Sequence, residues 1–295
     1  MRSLPALDIV VNDLRWRSHP VGQLEMQAVN RRQGTQSWWH LRYMSLNNEA
    51  ANLQASGDWG AVHSASAGPT APGPLRTQLN MRLDLKDTGE LLARLGMPGV
   101  ISRGKGVMEG AIGWTGSPLS PDYTSMDGKL HLDVGQGQFL KVEPGMAKLL
   151  GVLSLQALPR RLTLDFTDIF SAGFGFDFVR GDVTVSDGVA STNNLQMKGA
   201  AAAVLLEGHA NLRDETQNLH VLVIPELNTT TLSLVTTAIN PLIGLGSFVA
   251  QALLKKPLTD AVTREFQVTG SWTEPEVKRL SQGGPDDKIK AAPRP

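Results

Sequence analysis

Six histidines, His19, His40, His63, His131, His209 and His220, are the first residues to test for chemistry, because an imidazole can ligate a metal, carry a proton or activate a nucleophile. None lies three or four positions from another, and no carboxylate-rich cluster supplies hard oxygen ligands, so the spacing predicts no metal centre. The chain has no cysteine, which removes thiolate ligands, thiol nucleophiles and disulfides together. Gly104-Lys-Gly106-Val-Met-Glu-Gly110 approaches a dinucleotide-binding loop but misses its spacing by one residue, and it reads as a glycine-rich turn entering a strand. Gly244-Leu-Gly246-Ser247 lacks the following glycine of a nucleophile elbow. Of the candidate acids Asp133, Asp165 and Asp177, the first two fall on the outward phase of alternating strands, where a carboxylate is simply solvated. Asn228-Thr-Thr230 spells a glycosylation sequon at chance-level spacing. These residues assemble no catalytic set and call for no cofactor, so the expectation is a protein that is not an enzyme.

The elements that carry these residues are written in the composition and the periodicity. The 295 residues hold 28 Lys+Arg against 28 Asp+Glu, and a formal charge of zero offers no counterion release to a polyphosphate, so nucleic acid is excluded as the main partner. With 41% apolar residues the chain can bury a core, as one large domain or two ordinary ones. Met1 to Val11 carries no long apolar targeting run. Its strand-like alternation at Leu7, Ile9 and Val11 favours the tail of a longer chain over a complete cytosolic one.

Period-two alternation dominates. Leu130, Leu132 and Val134 alternate with Lys129, His131 and Asp133; Leu162, Leu164 and Phe166 alternate with Arg161, Thr163 and Asp165. Val183 and Val185 do the same before a turn at Ser186-Asp187-Gly188, as do Leu79, Met81, Leu83 and Leu85 before Lys86. Leu219 to Ile224 is apolar at nearly every position, and Val221 and Val223 make it a strand covered on both sides rather than a helix. Gly57, Gly110, Gly208 and Gly270 each sit in register with an apolar face, in the segments ending at Trp59, Trp114, Leu212 and Trp272. Such glycines bend a sheet or admit a close approach to its backbone, and four together argue for curvature.

Helical signals are few. Asp87-Thr-Gly-Glu90 resembles a capping box ahead of Leu91, Leu92 and Leu95, closed by Gly96. A second helix is expected from Pro144 to about Leu158. Leu227 to Leu254 runs 28 residues without a charge, but its Thr, Ser and Asn content and Pro241 argue against simple spanning of a bilayer. It is read as a helical pair over 230–254, the second helix presenting Leu242, Leu245, Phe248, Val249 and Leu253 to a membrane or a partner.

Gly151-Val-Leu-Ser-Leu-Gln-Ala-Leu-Pro-Arg-Arg-Leu-Thr-Leu-Asp-Phe-Thr-Asp-Ile-Phe170, then Gly173-Phe-Gly-Phe-Asp-Phe-Val-Arg-Gly181, Asn240-Pro241 and Phe266-Gln-Val-Thr-Gly-Ser-Trp-Thr-Glu-Pro275, appear in an order that resembles the C-terminal portion of the YhdP-type AsmA-like proteins of Gram-negative bacteria. The resemblance runs from about residue 75 to 278. It implies a bridge-like lipid-transfer protein anchored in the inner membrane by an N-terminal helix. Such a protein crosses the periplasm as a curved antiparallel sheet forming an apolar groove and ends near the outer membrane. On that reading the fold is mainly β, with a few short capping helices and the helical pair. Residues 1–63 continue a truncated groove, 64–74 are a linker or loop, 75–274 form the AsmA-like C-terminal domain, and 275–295 are a disordered tail.

The implied partner is phospholipid, with the outer-membrane surface or an envelope protein at the distal end. Exposing a sixteen-carbon acyl chain to water costs on the order of 12 kcal/mol, a barrier that a continuous apolar wall removes. The groove candidates are Leu130, Leu132, Val134, Leu162, Leu164, Phe166, Val183, Val185, Val221, Val223, Phe266 and Val268. The same pattern would also pack an ordinary β-sandwich core. A different class of function, an envelope-assembly scaffold that pairs client strands with exposed sheet edges, is the alternative.

Overall fold

A computed structural model describes residues 4–16, 19–33, 36–61, 73–140, 173–225 and 264–280. The first strands are β1 (Leu7–Trp16), β2 (His19–Gln33), β3 (Gln36–Asn47), β4 (Ala51–Ala61) and β5 (Leu75–Leu85). A short helix α1 (Thr88–Arg94) precedes β6 (Ile101–Thr115), and a single 3-10 turn at Tyr123–Ser125 precedes β7 (Asp127–Phe139). Then follow β8 (Phe174–Ser186), β9 (Val189–Lys198), β10 (Ala202–Asn211), β11 (Thr216–Pro225), β12 (Arg264–Ser271) and β13 (Pro275–Leu280).

All thirteen strands lie in one open, curved sheet in strict chain order, each antiparallel to its neighbours. The mainly β, curved antiparallel architecture therefore stands. Among the described residues there is no second sheet, so the alternating strands do not build a two-sheet sandwich. The inward glycines let neighbouring strands approach closely. A Cβ on Gly110 would strike the carbonyl oxygen of Lys129, and one on Gly208 the carbonyl oxygen of Asn218. The neighbouring backbone thus occupies the space of the missing side chain, and Gly208 adopts φ +133°, which L-residues avoid.

Helix α1 forms where the capping sequence placed it. Asp87 Oδ1 accepts from the Glu90 backbone N–H at 3.0 Å, and Gly96 follows the helix at φ +86°. Glu90 itself receives Arg94 Nε at 2.9 Å, supporting the same short helix by an i,i+4 pair. Leu91 packs α1 against the main buried cluster at one end of the strands.

One expectation changes. The polar tail placed from residue 275 begins instead with β13, because Val277 pairs with Val268 and packs against the buried cluster while Glu276 and Lys278 point away. Its Pro275 and charged residues suit an edge strand, where a missing N–H breaks no ladder. Strands β4 and β5, on either side of the expected linker or loop at 64–74, pair in unbroken register from Ala51↔Leu85 to Ala61↔Leu75. The helix at 144–158, the helical pair at 230–254, the strand with Leu162, Leu164 and Phe166, and the tail beyond 280 lie outside the described residues.

Candidate functional site

Side chains of register partners in an antiparallel sheet point to the same side, so the pairings assemble one face of the sheet into rows that cross the strands. The row nearest α1 comprises Ala51, Leu85, Gly106, Val134, Val179, Met197, Val204 and Val223, ending at Arg264 on β12. The second runs Val11, Leu24, Leu46, Leu53, Leu83, Met108 and Leu132, and continues on β9 to β12 as Leu195, Leu206, Val221 and Phe266, with Arg279 on β13. The third holds Ile9, Met26, Met44, Ala55, Met81, Gly110, Leu130 and Val183, then Gly208, Leu219, Val268 and Val277. The fourth passes from Leu7 through Ala28, Leu41, Gly57, Leu79, Ile112, Gly128, Val185, Ala190 and Ala210 to Gln217 and Gly270. A fifth, at the end opposite α1, is aromatic and polar: Asn30, Trp39, Trp59, Thr77 and Trp114.

Thus the described groove candidates Leu130, Leu132, Val134, Val183, Val185, Val221, Val223, Phe266 and Val268 all share one face. Coverage sorts them. Val134, Val185, Val221, Val223 and Phe266 are buried, with Val223 at 0% exposure, whereas Leu130, Leu132, Val183 and Val268 are half-buried. The half-buried set extends into strands where alternation alone singled out few residues: Leu24, Met26, Met44, Leu53, Met81 and Met108. Methionine is unbranched and polarizable, so a half-covered floor of it adapts to irregular apolar shapes. Strand β11 is buried on both faces, Leu222 and Ile224 on one and Val221 and Val223 on the other, as its continuous apolar run predicts.

The opposite face is polar. Its central row passes through Glu25, Ser45, Gln54, Arg82, Glu109, His131 and Asp182. His131 Nδ1 lies 2.8 Å from Asp182, and this hydrogen bond, together with one from Asn194, holds the Asp182 carboxyl below the usual carboxylate range. His40 pairs with Asp58 at 2.8 Å in the same cross-strand manner. These are strand-to-strand ties on a solvated surface. Among the described residues no group of three or more His, Asp or Glu side chains converges as a metal site would require. Asp133 and Asp177 are exposed.

One apolar face therefore runs from β1 to β12 of the sheet formed by the described strands. The sequence matches the YhdP protein family over residues 2–277. The chain belongs to the YhdP family. It is 27% identical over 231 residues to the intermembrane phospholipid transporter YhdP of Escherichia coli (strain K12), an alignment covering 78% of this chain and 18% of that relative. The chain thus spans less than a fifth of the length of the YhdP relative it matches. No solved structure matches it. Among the described residues no helix is long and apolar enough to cross a membrane.

Proposed function

We propose that the apolar face is a stretch of lipid conduit: it shields phospholipid acyl chains as they move between inner and outer membrane, and it does no covalent chemistry. The observation that carries this reading is the half-buried floor of Met26, Met44, Met81, Met108, Leu130 and Leu132 on one face of the sheet. A face of this extent left partly open to water is costly unless something apolar covers it. Covering it with hydrocarbon recovers that free energy without a specific pocket, and weak, repeated contact lets a chain slide. In this reading the whole protein stands in the Gram-negative envelope, anchored in the inner membrane. The charge-free segment 227–254 contacts the outer-membrane surface or a protein there.

The test is lipid retention by gently purified protein, read by mass spectrometry of the extracted lipid. Wild-type protein is expected to carry phospholipid. Met81→Asp and Leu130→Asp, placed on the half-buried floor, are expected to remain folded by circular dichroism and to lose most of it. Wild-type protein free of lipid, or aspartate variants that retain it fully, would overturn the proposal.

A further inference from the structure

Hydrogen-bond accounting along the apolar face separates its two ends. At the end opposite α1, Trp39 Nε1 donates to the Pro5 carbonyl at 2.9 Å, Trp114 Nε1 to the Ser117 carbonyl at 2.9 Å, and Thr77 Oγ1 to the Gly116 carbonyl at 2.9 Å. Among the described residues, three side chains at that same end carry buried polar atoms without a partner. Trp59 Nε1 is one, in the fifth row between Trp39 and Thr77. Trp272 Nε1 is the second, just beyond the end of β12, with its backbone N–H bonded to the Glu215 carbonyl at 2.8 Å. The third is Gln217, 4% exposed, with both Oε1 and Nε2 orphaned, in the fourth row between Ala210 and Gly270. Native proteins leave few buried polar groups unpaired, and each calls for an explanation; here they fall at two places along the same end of the strands, Trp59 on β4 and Gln217 with Trp272 at β11 and β12. The remaining unpartnered atoms, on Asn52, Arg180 and Gln196, alternate onto the opposite face. From Ala51 to Val223 the row at the α1 end carries no hydrogen-bonding side chain, and Arg264 and Arg279, where the face turns basic, are engaged within the protein.

We infer from this asymmetry that phospholipid lies along the strands with its ester and phosphodiester oxygens at the tryptophan lip. There they accept hydrogen bonds from Trp59, Trp272 and Gln217, while the acyl chains point toward α1. Indole suits this boundary, with an apolar ring and one donor. The dimensions agree: five rows spaced two residues apart span about 26 Å of extended strand. One leaflet of hydrocarbon is about 15 Å, half of a bilayer core of about 30 Å, which leaves room for the glycerol region at the lip. The inference rests on the conduit reading and adds the orientation of its cargo.

The test uses a Trp16→Phe/Trp38→Phe background, in which every remaining indole belongs to this lip. The full chain is loaded with phosphatidylcholine carrying a spin label either near the glycerol or at the methyl end of one acyl chain, and loading is verified by mass spectrometry. The glycerol-proximal label is expected to quench tryptophan fluorescence several-fold more than the methyl-end label. Equal or reversed quenching in loaded protein overturns the orientation and leaves the conduit standing; failure to load any lipid overturns both. In parallel, Gln217→Leu removes both orphaned atoms at similar volume. It is expected to raise the melting temperature of lipid-free protein and to lower phospholipid retention several-fold. A lowered melting temperature with unchanged retention would make Gln217 structural and overturn its assignment.

Discussion

Trp39 and Trp59 are register partners on adjacent strands of one face, yet only Trp39 satisfies its indole, through the Pro5 carbonyl at 2.9 Å; the N–H of Trp59 is buried with no acceptor among the described residues. The two therefore predict different responses to the same change. Trp39→Phe leaves the Pro5 carbonyl unpaired and should cost roughly 1 kcal/mol more stability than Trp59→Phe, which deletes an orphaned donor. Urea denaturation of the two lipid-free variants checks the difference, and equal losses would contradict it.

Burial along the apolar face predicts where charge is tolerated. Val223 is fully buried, so Val223→Asp places an unpaired carboxylate in the core and should cost about 3–5 kcal/mol or abolish folding. Met81→Asp, on the half-buried floor, should cost far less. Thermal melts of both variants without lipid make the comparison, and matching losses would refute the distinction between core and floor.

Gly208 lets β11 come close. Gly208→Ala must place a methyl group against the Asn218 carbonyl while holding φ near +133°, and should cost roughly 1–3 kcal/mol. The measurement is the urea midpoint, and a neutral outcome would show that the strands separate at no cost.

Asp127 ties three parts of the sheet at the tryptophan end. It accepts from the Asp187 backbone N–H at 3.1 Å and pairs with Arg76 on β5. The Asp187 hydrogen bond first, and Arg76 second, hold its carboxyl below the usual carboxylate range. The ionised form is favoured by folding, so its contribution is present above about pH 4, the unfolded value, and fades as pH falls through the lower folded value. Asp127→Asn should therefore lower stability at pH 7 and reduce the loss on acidification. Urea midpoints of the two proteins at pH 7 and below pH 3 test the sign; parallel acid losses would refute it.

Much of the sheet was readable from local pattern. The alternation through Leu130, Leu132 and Val134 and through Val183 and Val185 marked β7 and β8, and Asp87 with Gly96 bracketed α1. Strand β3 shows why other parts were not. Its register shifts between Leu41 and Met44, so these residues, three apart, share one face, and no period of two reveals it. Strand β13 was hidden for another reason, since only Val277 of its six residues declares a buried side, and it does so by pairing with Val268. The tryptophan lip lay beyond sequence reading altogether. Trp39, Trp59, Trp114 and Trp272 are scattered along the chain, and the absence of an acceptor for Trp59, Trp272 or Gln217 is a property of the space around them.

By itself the sequence determined that strands predominate and which side chains of most strands share a face. Those properties follow from residue type and from the alternation of Cβ directions along an extended backbone, which is local. Tertiary structure alone decided that the faces join into rows from β1 to β12, that some rows are buried while others stay half-open, and that unpaired donors gather at one lip. Register between strands and coverage by distant residues depend on contacts that no local stretch encodes.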